Sequence, residues 1–111
     1  MSNNWTKLCS HSDLIGHSGI CALVDDQQIA LFYLPEQLQV FAVSNYDPVG
    51  KANVISRGII GSSGDDLFVA SPLYKERYRL TDGFCLDDEA LSLKAWPARI
   101  HDGQVEVQLA A

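Results

Sequence analysis

The sequence has few cysteines and no long apolar run, and both shortages exclude classes of protein. The three cysteines, Cys9, Cys21 and Cys85, stand far apart, so neither a disulfide framework nor a Cys-x-x-Cys zinc site is predicted. We expect reduced thiols, with Cys21 in the core. No apolar segment approaches the roughly 18 residues of a membrane span, and no basic segment followed by an apolar one opens the chain. A cytoplasmic protein without a membrane partner is expected.

Positive charge is also scarce. The chain carries 14 acidic and 8 basic side chains in 111 residues, which gives a formal net charge of −6. A polyanion would be repelled by such a protein, so neither nucleic acid nor an anionic membrane surface is an expected partner. A chain of this length is expected to form one domain, residues 1–111, that buries roughly two-thirds of its unfolded surface.

Motifs for phosphate, metal or nucleophilic chemistry are missing as well. The glycine-rich residues 58–64 lack the Lys-Ser/Thr pair of a phosphate-binding loop, so we interpret them as a flexible connection. The histidines His11, His17 and His101 are too widely separated to predict a shared metal site. Ser71 is followed by a proline and has no Gly-x-Ser-x-Gly elbow around it. The composition and motifs alone therefore identify no active site.

Short segments of strand character alternate with turn signals along the whole chain, and this pattern is typical of an antiparallel sandwich or barrel. Strands are predicted at residues 5–9, 20–24, 28–34, 40–44, 67–70, 77–80, 91–95, 98–101 and 104–109. In the last of these, Val105 and Val107 alternate with Gln104 and Glu106, which predicts one buried face. Asp102-Gly103 is a two-residue hairpin signal. Helical turns are expected only at residues 12–15 and 86–90, so the fold class is all-β.

Two loops carry the most informative resemblance in the chain. Residues 45–49 (Asn-Tyr-Asp-Pro-Val) and residues 71–74 (Ser-Pro-Leu-Tyr) resemble the ligand loops of Rieske iron–sulfur domains, with both prolines kept. Asp47 and Ser71 fall at the thiolate positions, and Val49 and Tyr74 fall at the imidazole positions. A Rieske cluster needs two thiolates and two imidazoles, so no ligand is retained.

Two consequences of these replacements remain open from the sequence. Val49 and Tyr74 are expected to fill with side-chain volume the space that a cluster would occupy, because protein interiors are close-packed. The alternative is a mononuclear ferric site built from the oxygens of Asp47, Ser71 and Tyr74, since hard oxygen donors suit some metals.

The resemblance can be narrowed to one family over nearly the whole chain. The chain resembles the ligand-free, Rieske-like small subunit of bacterial NADH-dependent assimilatory nitrite reductase. The stretches that carry this likeness are residues 19–23, 40–48, 56–58, 69–75 and 77–83, together with Cys85 and residues 98–103. The resemblance implies a Rieske-like antiparallel β-sandwich or barrel with a subdomain of two hairpins that bear the loops.

The same resemblance implies a function. The chain is expected to be an accessory subunit of an NAD(P)H-dependent oxidoreductase that converts nitrite to ammonium in nitrate assimilation. It would bind a large subunit that carries FAD, an iron–sulfur cluster and sirohaem, and it would not be catalytic by itself. The alternatives are a Rieske-type [2Fe-2S] electron-transfer protein and a ligand-free binding module for another partner.

A group of basic residues near the second loop is the candidate partner surface. Lys75, Arg77 and Arg79 recur at a spacing of two, which places them on one face of a predicted strand. They serve either as charges that protect an exposed strand from aggregation or, together with Arg57 and Tyr74, as a docking patch for an acidic region of a partner.

Overall fold

The computed structural model describes residues 4–109, and these form short antiparallel strands. The strands are β1 (Thr6–Ser10), β2 (Gly19–Val24), β3 (Gln27–Leu34), β4 (Gln39–Ser44), β5 (Tyr46–Asp47), β6 (Ala52–Asn53), β7 (Ile59–Ser63), β8 (Asp66–Ala70), β9 (Arg77–Arg79), β10 (Ala95–Trp96), β11 (Ala98–His101) and β12 (Gln104–Val107). Within this range the helical elements are the short 3-10 turns His11–Asp13, Pro35–Gln37 and Ile55–Arg57. The predicted all-β class is confirmed. Across residues 4–109, no helix has the length and apolarity needed to cross a membrane.

A four-stranded sheet in the order β10-β4-β3-β2 runs through the centre of the molecule. Every residue from position 29 to position 34 in β3 is buried. Because side chains alternate along a strand, Ala30 and Phe32 enter one apolar cluster while Ile29 and Leu31 enter another. The central sheet therefore separates two cores, and this explains why β3 is apolar without interruption.

The first core lies between the central sheet and a three-stranded sheet in the order β1-β12-β11. Val105 and Val107 are fully buried there, whereas Gln104 and Glu106 are partly exposed. The alternation predicted for the last strand is confirmed.

The second core lies under the loops. Val69, Tyr78 and Leu80 from the β7-β8-β9 region pack in it against Phe32 and Ile55. The first loop is the turn of the β5-β6 hairpin, and the second connects β8 to β9. Two small hairpins thus carry the two loops, as the resemblance implied.

The glycine-rich residues 58–64 do not form the flexible connection that we predicted. They contain β7, which pairs with β8 from Ile59 opposite Ala70 to Ser63 opposite Asp66. Gly61 lies opposite Phe68, and a Cβ atom at Gly61 would be 2.7 Å from the Phe68 ring. This glycine therefore makes room for an aromatic side chain within the sheet.

Three smaller predictions are also wrong. Cys21 is exposed, because β2 is an edge strand whose alternate residues Ile20 and Ala22 pack on the core while Cys21 lies on the other side. The strand expected at residues 91–95 is reduced to β10, Ala95–Trp96. Residues 86–90 form bends and a turn rather than helix. All three cysteines are free thiols, as predicted.

Candidate functional site

The two loops are copies of one turn. Residues 47–51 read Asp-Pro-Val-Gly-Lys and residues 71–75 read Ser-Pro-Leu-Tyr-Lys. In the first loop the Lys51 amide donates to the Asp47 carbonyl at 2.7 Å, and in the second the Lys75 amide donates to the Ser71 carbonyl at 3.1 Å. Both lysines adopt left-handed backbone conformations, with φ of 57° and 70°. The repeated Pro-x-x-Lys string could have revealed this pair from the sequence.

The inner sides of the two loops are joined by Asp47 and Ser71, both fully buried. The Ser71 hydroxyl donates a hydrogen bond to Oδ2 of Asp47. Oδ1 of Asp47 accepts from the amides of Val49 at 2.8 Å and Gly50 at 3.0 Å. The two residues at the thiolate positions are therefore bonded directly to each other, and each also interacts with the backbone of its own loop.

The loops also touch through Gly50 and Leu73. A Cβ atom at Gly50 would lie 2.3 Å from Cδ1 of Leu73, so the leucine rests on the bare glycine backbone. Tyr74 is 62% exposed, and Val49 is partly buried. The prediction that Tyr74 fills an internal space is wrong, because the bond between Asp47 and Ser71 and the contact of Leu73 with Gly50 already close the loops.

The residues at the four ligand positions do not fit a Rieske cluster. They offer a carboxylate, an isopropyl group, a hydroxyl and a phenol, whereas the cluster requires thiolates and imidazoles. The part of the chain that the structure describes contains no group of three or more His, Cys, Asp or Glu residues placed to hold a metal. The ferric alternative gains no support, because Asp47 and Ser71 direct their oxygens at each other and Tyr74 is exposed.

Asn45 anchors the first loop to the central sheet. Its side chain is buried and donates from Nδ2 to Oε1 of Gln28 at 3.0 Å. Its Oδ1 accepts from the amide of Ser56 at 2.6 Å, and its carbonyl accepts from the amide of Ile55 at 3.1 Å. In the sequence, Asn45 is visible only as part of the motif of the first loop. Asn45 therefore links the start of the first loop to β3 and to the 3-10 turn at Ile55–Arg57.

Tyr78 lies in the core beneath the loops and is fully buried. Burial raises the pKa of this phenol well above its usual range, and the negative charge of Asp47 adds to the shift. Tyr78 therefore stays neutral at physiological pH. Its hydroxyl has no hydrogen-bond partner among residues 4–109, and Cys85 is buried in the same cluster.

The predicted basic stripe is largely neutralised. Arg77 and Arg79 share the outer face of β9, but Arg77 pairs with Asp87 at 2.7 Å and Arg79 pairs with Asp82 at 2.6 Å. Hydrogen bonds from these guanidinium groups lower the pKa of both carboxyl groups. Both carboxylates therefore remain ionised beside the arginines.

The other two basic residues of the patch have a different setting. β9 begins at Arg77, so the expectation that Lys75 projects from that strand is wrong: Lys75 closes the preceding loop. Arg57 ends a 3-10 turn and is exposed. Among residues 4–109, neither Lys75 nor Arg57 has a carboxylate within salt-bridge distance. The role of the patch in partner binding stays a prediction.

Known proteins resemble this chain over nearly its full length. The family described as Rieske-like [2Fe-2S] domain matches residues 4–108. The nitrite reductase (NADH) small subunit of Escherichia coli K12 is 43% identical over 106 residues, which cover 96% of this chain and 98% of that protein. The solution structure of a nitrite reductase [NAD(P)H] small subunit from Erwinia carotovora has a TM-score of 0.81 and 46% identity, covering 100% of this chain and 85% of that one.

A third relative is of a different kind. The nitrite reductase [NAD(P)H] large subunit of Klebsiella oxytoca is 40% identical to this chain over 106 residues, which are 96% of this chain and 11% of that protein. A domain similar to this chain is thus contained within that large subunit. Taken with the near full-length match to small subunits and the shared Rieske-like fold, this chain belongs to the family of Rieske-like nitrite reductase small subunits.

Proposed function

We propose that this chain is the accessory small subunit of a cytoplasmic NAD(P)H-dependent nitrite reductase and acts by binding the large subunit. The observation that carries the proposal is the 43% identity to a nitrite reductase (NADH) small subunit over 98% of that protein. The Klebsiella large subunit adds support, because a domain like this one lies there on the same polypeptide as the remainder of a large subunit. A domain that is part of the large-subunit polypeptide in one protein is compatible with a separate small subunit that binds the large subunit in another.

The chain contributes no redox group of its own in this proposal. The four positions that align with Rieske ligands lack thiolates and imidazoles, and Asp47 and Ser71 use their oxygens on each other. FAD, an iron–sulfur cluster and sirohaem would belong to the large subunit, as the resemblance implies. The small subunit would then act through its surface, by stabilising the large subunit or fixing the orientation of its domains.

Activity measurements test this function. Purified large subunit is assayed for NADH-dependent nitrite reduction while this chain is added in increasing amounts. We expect the rate to rise and to saturate at a fixed stoichiometry, because each large subunit offers a defined binding site. An unrelated protein of the same net charge serves as the control. Unchanged rates together with separate elution of the two proteins on size exclusion would contradict the proposal.

The alternatives give different results in simple measurements. A Rieske-type electron carrier would contain iron and absorb visible light, and its reduction would be seen in the spectrum. A binding module for another partner would be colourless and would leave the rate of the large subunit unchanged. The proposed accessory subunit is colourless and raises the rate.

A further inference from the structure

The outer end of the two loops carries exposed apolar and basic side chains. Four exposed residues form this end, which we call the loop tip: Lys51, Leu73, Tyr74 and Lys75. We propose that the loop tip is the docking surface for the large subunit, and that the matching face there is an apolar depression flanked by carboxylates. This inference rests on the proposed function and specifies the surface that carries it out.

The loop tip is held in one arrangement by the structure behind it. The two loops are joined by the hydrogen bond between Ser71 and Asp47 and by the contact of Leu73 with Gly50. Each loop is also closed by its own backbone hydrogen bond, at Lys51 and at Lys75. A surface that is already ordered loses little conformational freedom on binding, and this favours affinity.

Two of the four residues of the loop tip present apolar surface to the solvent. Leu73 is 46% exposed and Tyr74 is 62% exposed. Tyrosine is among the residues that contribute most to binding energy at protein interfaces. Contact with an apolar depression in a partner would remove both side chains from water.

The two lysines give the tip its charge. Lys51 and Lys75 stand at the same position of the two loops, in a left-handed conformation that only a few per cent of non-glycine residues adopt. Glycine would meet the backbone requirement with less strain. Within residues 4–109, no carboxylate lies at salt-bridge distance from either lysine, and the same holds for Lys7, Lys94 and Arg57. The two lysines are therefore distinguished by their matching positions in adjoining loops.

Charge complementarity then specifies the partner surface. The chain as a whole has a net charge of −6, so an acidic surface would be repelled by most of it and attracted at the loop tip. Such a distribution orients an acidic partner during approach and makes association depend on salt. The occupant is therefore an acidic face of the large subunit rather than a basic one.

The test compares how charge reversal at the loop tip and charge reversal at other lysines change the affinity for the large subunit. The double variant Lys51→Glu with Lys75→Glu is compared with the control Lys7→Glu with Lys94→Glu, which alters the net charge equally on other exposed lysines. The dissociation constant for purified large subunit is measured for each full-length variant at low and at high salt. Thermal unfolding confirms that each is folded, and a Lys51→Gln with Lys75→Gln pair replaces the first double variant if it is not.

The proposal predicts that tip reversal weakens binding by about tenfold or more at low salt, by less at high salt, and that the control changes it by about threefold at most. Equal effects of the two double variants would overturn the proposed surface, while binding by the unaltered chain would leave the accessory function intact. Failure of the unaltered chain to bind would instead overturn the accessory function, and the docking surface with it.

Discussion

The inner and outer sides of the two loops have opposite properties. On the inner side, Asp47 and Ser71 are fully buried and bonded to each other. On the outer side, Leu73 and Tyr74 are exposed, and the flanking lysines have no ion pair within the described residues. The residues of the inner side therefore stabilise the fold, whereas those of the outer side are accessible to a partner.

The inner side shows how such a fold can close its loops with its own side chains. A buried carboxylate is costly unless hydrogen bonds compensate for the lost water. Asp47 receives three such bonds, two from backbone amides and one from Ser71. At the positions that align with metal ligands, these polar groups link the loops directly, and their removal should affect folding before it affects binding.

Among the substitutions considered, replacement of Asp47 is expected to lower the free energy of unfolding most. Asp47→Ala removes the acceptor for the buried Ser71 hydroxyl and for the partly buried amides of Val49 and Gly50. We expect a loss of about 3 kcal/mol or more in the free energy of unfolding, measured by urea denaturation. Asp65→Ala, in an exposed turn, should change it by at most about 0.5 kcal/mol. A fully stable Asp47→Ala protein would contradict the structural role.

Substitution of Ser71 should have a smaller effect in the same direction. Ser71→Ala leaves Oδ2 of Asp47 without its donor, but the two amide donors remain. The expected loss is about 1–3 kcal/mol. Ser63→Ala, on exposed β7, is the matched control and should be close to neutral. If Ser71→Ala and its control unfolded at the same urea concentration, the link between the loops would carry no stability.

The ion pair between Arg79, at the end of β9, and Asp82 predicts a weaker, pH-dependent effect. The hydrogen bond from Arg79 lowers the pKa of Asp82 below the value of about 3.9 expected in the unfolded chain. A lowered pKa contributes stability that is present above pH 3.9 and is lost as pH falls through the folded value. Both side chains are partly exposed to solvent, which screens the pair, so the contribution is small. The difference in unfolding free energy between wild type and Asp82→Asn should therefore shrink from pH 7 to pH 3.

The outer side should give the smallest effect on stability. Tyr74 is 62% exposed, so Tyr74→Ser should change the free energy of unfolding by no more than about 0.5 kcal/mol. The same variant should bind the large subunit more weakly. Ser71→Ala, three residues earlier, should instead lower the free energy of unfolding. A loss of stability comparable to that of Ser71→Ala would show that the two sides are not separate.

The strands and the location of the loops could be predicted from the sequence because each has a local signal. Val105 and Val107 alternate with polar residues, and the two prolines mark the loops in the order of the family. Other features depend on tertiary neighbours. Gly61 looked flexible but makes room for Phe68, and Cys21 looked apolar but lies on the exposed side of an edge strand.

The candidate site was also predicted only in part, because some of its contacts join residues that are distant in the sequence. The ligand positions followed from aligned residues, yet the bond between Asp47 and Ser71 spans 24 positions and has no local signal. The basic stripe was inferred from spacing alone, which cannot show that Asp82 and Asp87 neutralise its arginines. The Pro-x-x-Lys repeat of the loops was a readable signal that we missed.

Whether the two loops can hold a cluster is tested by anaerobic reconstitution of the purified chain with iron and sulfide, followed by gel filtration, metal analysis and a visible spectrum. If Asp47 and Ser71 close the loops in place of a cluster, the chain will elute without iron and without visible absorbance. Co-elution of a [2Fe-2S] cluster in stoichiometric amount, with its visible bands, would show that Asp47 and Ser71 do not replace a cluster.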